Sequence, residues 1–108
     1  MSSESTKAVF DHHGAALLAG DVDAVMEDYT DESVFISNLG GVLRGVDAIR
    51  PVFEAAGALG NFVETSTHVD GEVAFTTWTA DGFSFGSDTF VIRDGKIVCQ
   101  TVAIALAS

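Results

Sequence analysis

The spacing of apolar residues changes once along this chain, from helical to alternating. From about Thr6 to Ala19, the residues Val9, Phe10, His13 and Leu17 recur at three- and four-residue intervals, which places them on one helical face. Gly20 can end that helix and Asp21 can cap a second. The second helix points Val22, Val25, Met26 and Tyr29 inward and Asp23, Glu27 and Asp28 outward. Val34, Phe35 and Ile36 form a short strand that Gly40-Gly41 turns toward Val42-Leu43. Asp47 is the predicted cap of a third helix, with Pro51 in its first turns and an apolar stripe of Ile49, Val52, Phe53 and Ala56.

After Gly60 the period becomes two. Three Asp-Gly pairs (Asp70-Gly71, Asp81-Gly82 and Asp94-Gly95) separate runs rich in Val, Phe and Thr. Asp-Gly tolerates the positive φ of tight hairpin turns, so the second half reads as four strands near 62–69, 72–80, 83–93 and 96–106. Helices first and an antiparallel meander second is an α+β arrangement, with the helices against one sheet face. The last strands are apolar on both faces: Val98, Val102 and Ile104 on one, Ile97, Cys99 and Thr101 on the other. The face away from the helices is therefore expected to pair with a second copy, as a homodimer through the sheet.

Length and charge narrow the reading. A chain of 108 residues is expected to form one domain, 1–108, with a core that needs no staple. The formal charge of −11, with only Lys7, Arg44, Arg50, Arg93 and Lys96 as cations, excludes a basic stripe for nucleic acid or anionic membrane. The single Cys99 forms no intramolecular disulfide and reads as a buried, inert thiol. The N-terminal residues lack a basic-then-apolar signal, and the apolar run at 102–107 is too short to span a bilayer, so a cytoplasmic protein is expected. His12 and His13 point about 100° apart on a helix, and no second ligand pattern accompanies them, so no metal is expected. No phosphate-binding loop or serine elbow appears, and no cofactor is expected.

One acid stands out. Asp88 shares a strand face with Phe90 and Ile92, where a carboxylate is costly unless protonated, paired or hydrogen-bonded. Such groups often have shifted pKa values, which cluster at functional sites. An edge-strand acid that simply reaches water is the plainer alternative.

Several segments together resemble the NTF2-like superfamily, specifically its small SnoaL-like and ketosteroid-isomerase-like proteins. They are 19–23 (Ala-Gly-Asp-Val-Asp), 29–35 (Tyr-Thr-Asp-Glu-Ser-Val-Phe), 43–50 (Leu-Arg-Gly-Val-Asp-Ala-Ile-Arg) and 87–98 (Ser-Asp-Thr-Phe-Val-Ile-Arg-Asp-Gly-Lys-Ile-Val). The resemblance implies a cone-shaped, cystatin-like fold, a curved sheet around helices with a deep apolar pocket. Isomerases of this type use a carboxylate base, a tyrosine and a protonated aspartic acid, the last a known example of a carboxyl kept neutral by an apolar site. Carried over by position, the protonated acid falls on Asp88, the tyrosine on His13 and the base on Ser37, which cannot act as one.

The resemblance thus retains one of three catalytic types, and steroid isomerisation is not expected. It brings His13 and Asp88 to one pocket as the candidate catalytic pair. Two states are open to them: a neutral His13 beside an Asp88 raised by desolvation, or an ion pair that lowers Asp88. Candidate ligand contacts are Ser37 at the rim, Phe53 and Phe90 on the walls, Trp78 as an aromatic wall and Gln100 as an orienting amide. Two functions fit. One is a cofactor-independent isomerase, lyase or hydrolase acting by acid–base chemistry on a small apolar or polycyclic molecule. The other is a non-catalytic ligand-binding or dimerisation module.

Overall fold

Helix α1 (Ser3–Ala19) begins where the Ser2 hydroxyl accepts the Ser5 N–H at 3.1 Å, and it ends at Gly20 in the left-handed conformation. In the computed structural model, which describes residues 2–107, its buried row is Thr6, Phe10, His13 and Ala16. The Thr6 hydroxyl donates to the Gly71 carbonyl at 2.6 Å and ties the helix to the sheet. Helix α2 (Val22–Met26) is capped by Asp21, which accepts the Ala24 N–H. It is shorter than the apolar spacing suggests. Tyr29 follows in irregular chain, and Asp28 is buried rather than outward, its carboxylate 2.8 Å from His12 Nδ1.

Strands β1 (Val34–Ser37) and β2 (Gly41–Arg44) form a hairpin, and α3 (Val46–Ala56) follows. The cap of α3 is Gly45 at φ 87°, not Asp47, which sits in the first turn. A side chain on Gly45 would run into the Asp31 carbonyl, so the tight approach of the chain selects glycine there. The remaining strands are β3 (Val63–Asp70), β4 (Val73–Ala80), β5 (Phe83–Arg93) and β6 (Lys96–Leu106). They form the expected meander, and β1 adds parallel to β6, giving the order β2-β1-β6-β5-β4-β3.

Register shifts at Glu64/Ser66, Trp78/Ala80, Phe83/Phe85 and Val91/Ile92 curve the sheet around the helices. They also re-aim side chains. Val98 is the unpaired residue between the Ile92–Ile97 and Val91–Cys99 pairs, so Ile97 joins the core instead of sharing a face with Cys99. A second shift, at Ser84, separates Phe83 from the exposed Phe85 and sets its ring 5.7 Å from Trp78. The concave face packs Ala74, Phe90, Ile92, Ile97 and Val102 with Phe10, Val25, Ile49 and Phe53 of the helices. The convex face carries exposed Val73, Phe75 and Phe85, with half-buried Cys99. Among the described residues, no helix is long and apolar enough to cross a membrane.

Candidate active site

A cavity of about 490 Å³ lies between α1 and the concave face of β3–β5, within the range typical of small-molecule sites. Phe10, Phe62, Trp78 and Phe90 give it an aromatic wall. The exposed residues Asp11, Leu18 and Glu64 mark its mouth. A second chamber of about 90 Å³ lies toward α3 and β6, walled by Phe35, Phe53, Phe83 and Val102. Four residues, His13, Leu17, Trp78 and Asp88, line both chambers and form the partition between them.

The polar centre of that partition is Asp88. Its Oδ1 accepts the Trp78 Nε1–H at 2.8 Å, and its Oδ2 accepts the Gln100 Nε2–H at 2.8 Å. Burial raises the carboxyl above the ordinary carboxylate range, and the two hydrogen bonds partly offset this because they favour the charged form. Each oxygen therefore has one fixed donor. The lone pairs that remain are the ones available to a molecule in the chambers.

Two further residues hold this arrangement. The Tyr29 hydroxyl donates to Gln100 Oε1 and anchors the amide whose nitrogen faces Asp88. Both residues are buried, and burial pushes the Tyr29 phenol well above its usual range, so it remains a donor. Gly86, opposite Trp78 in the β4–β5 register, lies directly beneath the indole, where any Cβ would overlap the ring. Phe62 stacks on the indole with centroids 5.5 Å apart. Trp78 is thus clamped flat with its N–H aimed at Asp88.

His13 stands apart from this network. It is 3% exposed, within 5.1–6.0 Å (centroid to centroid) of the rings of Tyr29, Phe53 and Phe90, and makes no side-chain hydrogen bond among the described residues. Burial, with a smaller contribution from the charge of His12, lowers its pKa to about 4, so the imidazole is neutral at neutral pH. Nδ1 is sealed and unpartnered. The tautomer protonated at Nε2 leaves only a lone pair buried at Nδ1 rather than an N–H. Of the two states open to the pair, this is the one with a neutral imidazole and a raised carboxyl; no ion pair joins His13 and Asp88.

A sequence signature described as the SnoaL-like domain matches residues 10–100. The chain belongs to the SnoaL-like family. No curated protein matches. Among solved structures, an NTF2-like protein of unknown function from Burkholderia xenovorans superposes with a TM-score of 0.85 at 20% identity, covering 100% of this chain and 88% of that one. A candidate ketosteroid isomerase from Kribbella flavida gives 0.78 at 14% identity, covering 97% and 81%. An LEH-like epoxide hydrolase from M. tuberculosis gives 0.74 at 17%, covering 96% and 84%. At these identities the likeness establishes the fold alone.

Within this SnoaL-like domain the expected contacts separate. Trp78 lines both chambers, Phe90 the larger, and Phe53 and Gln100 the smaller. Ser37, expected at the rim, lines neither: its hydroxyl accepts the Gly40 N–H at 2.8 Å and closes the β1–β2 turn. Tyr29 and Gly86 are site residues the sequence reading assigned no role. A buried tyrosine hydroxyl needs a partner, and a glycine inside a strand signals a close approach, so both carried a signal. Among the described residues, no group of His, Cys, Asp and Glu is arranged to hold a metal ion.

Proposed function

We propose that this SnoaL-like protein is a cofactor-independent acid–base enzyme, an isomerase, lyase or hydrolase, acting on a small, mainly apolar or polycyclic molecule. The observation that carries the reading is Asp88, a carboxyl with raised pKa, held by Trp78 and Gln100 where two apolar chambers meet. Ionised Asp88 takes a proton from a substrate carbon beside a carbonyl. The neutral His13 Nε2–H hydrogen-bonds the enolate oxygen that forms, and the carboxylic acid returns the proton to a different carbon. For this isomerisation atoms and charge balance without a co-reactant, whereas hydrolysis would consume one water. General acid–base help of this kind is worth roughly 10²–10⁴-fold.

The test is hydrogen–deuterium exchange at the α-carbon of polycyclic ketones that bind, followed by mass spectrometry in D₂O. Wild-type protein should accelerate exchange, and Asp88→Asn should lose at least about 10²-fold while still binding. Equal exchange in wild type, variant and buffer would leave the second reading, a non-catalytic receptacle. Loss of a base at Ser37 favours that alternative.

A further inference from the structure

The charged residues that line the large chamber share one sign. Asp11, Glu64 and Asp88 line it, and among the described residues no lysine or arginine does. Three of the chain's cations are engaged elsewhere: Arg50 with Asp23, Arg93 with Glu72 and Lys96 with the Glu27 carbonyl. Arg44 is on β2, the sheet edge opposite β3. Lys7 pairs with Asp11 at 2.6 Å and neutralises that acid. Glu64 remains. It is exposed at the mouth, makes no ion pair or side-chain hydrogen bond among the described residues, and stands opposite Trp78 in the β3–β4 register. At the inner end are Asp88 and the buried His13, so the chamber is polar at both ends and aromatic between them.

We propose that the ligand of this chamber is an organic cation: a polycyclic or aromatic skeleton bearing one basic nitrogen. The ammonium sits at Glu64 in the mouth, the skeleton lies against Phe10, Phe62 and Phe90, and the far end reaches Asp88 and His13. The proposal rests on the cavity being the substrate site and adds the class of molecule that enters it. Low-dielectric walls strengthen the pull of Glu64 on a cation beyond its value in open solvent. The Phe62 ring beside the mouth adds a cation–π attraction. The same field turns away carboxylates and phosphate esters, and a neutral molecule gains nothing from it.

A matched set of probes on one skeleton (aminoadamantane, adamantanol and adamantane carboxylate) tests this by calorimetric titration of the intact protein. The amine should bind about fivefold tighter than the alcohol at low salt, the margin typical of one partly exposed charge pair. It should bind far tighter than the carboxylate, and the preference should fade at about 0.5 M salt. Glu64→Gln should erase the preference, with an unchanged circular dichroism spectrum showing that the variant is folded. Alcohol binding as tight as amine binding, or a preference that survives in Glu64→Gln, overturns the proposal and leaves the cavity reading intact. Failure of all three probes to bind overturns both.

Discussion

Gln100 presents its amide nitrogen to Asp88 at 2.8 Å, the orientation that an acceptor-only carboxylate selects, while its carbonyl oxygen accepts the Tyr29 hydroxyl. An amide flip would set two acceptors, Gln100 Oε1 and Asp88 Oδ2, against each other and point the NH₂ group at the Tyr29 oxygen. The orientation of the carboxylate is therefore decided three residues deep, from the irregular chain after α2 through β6 to β5.

Tyr29→Phe removes that anchor. The buried Gln100 oxygen loses its donor, which should cost about 1–3 kcal/mol in urea unfolding. Turnover should fall through kcat with KM little changed, since Tyr29 lines neither chamber. A variant as stable and as active as wild type would show that the amide is fixed by other contacts.

His13 makes the folded state acid-sensitive. Its folded pKa, about 4, lies below its ordinary 6.5, so the folded state binds fewer protons between those values. A depressed folded pKa gives stability that is present above 6.5 and lost as pH falls through 4, amounting to about 3 kcal/mol. Asp88, Asp28 and His12 have raised folded pKa values and act with the opposite sign, so the total curve mixes both. The difference between wild type and His13→Phe isolates the histidine. The variant should gain on wild type as pH falls from 6.5 to 4, read from urea midpoints. It should also be no less stable at neutral pH, because the orphaned Nδ1 is gone. Parallel curves would contradict the lowered pKa.

Gly86→Ala should displace the indole. The added methyl overlaps the Trp78 ring, so the variant is expected to lose about 1–3 kcal/mol by overpacking. Trp78 is the chain's only tryptophan, so its fluorescence reports the displacement directly. An unchanged spectrum would show that the clamp is not tight.

The convex sheet face, with exposed Phe75 and Phe85, is expected to pair two copies. Sedimentation should give twice the chain mass, and Phe75→Glu should halve it. A wild-type monomer would leave that face without the expected partner.

The inward placement of Asp88 was legible because β5 keeps strict alternation through residues 88–92. The hairpins were legible because Asp94 and Gly95 both take positive φ in the turn, and Gly71 and Gly82 take it in theirs. Ile97 was misplaced because a bulge leaves no mark in a run that is apolar on every residue. Asp28 was misplaced because its partner, His12, lies sixteen residues away. The link from Tyr29 to Asp88 spans residues 29 to 100 and depends on strand register, which periodicity alone does not specify. His13 was placed on its helix by spacing, but its lack of a hydrogen bond emerges only from the packing of Tyr29, Phe53 and Phe90 around it.

The central claim, that Asp88 is a raised carboxyl held for proton transfer, is tested most directly by titrating its side-chain carbon by NMR, assigned with Asp88→Asn. The carboxyl should titrate above its ordinary value of 3.8. It should move higher still in Trp78→Phe, which removes a donor that favours the charged form. A midpoint at or below 3.8, unmoved by loss of the indole, would contradict the claim and make Asp88 an ordinary, satisfied carboxylate.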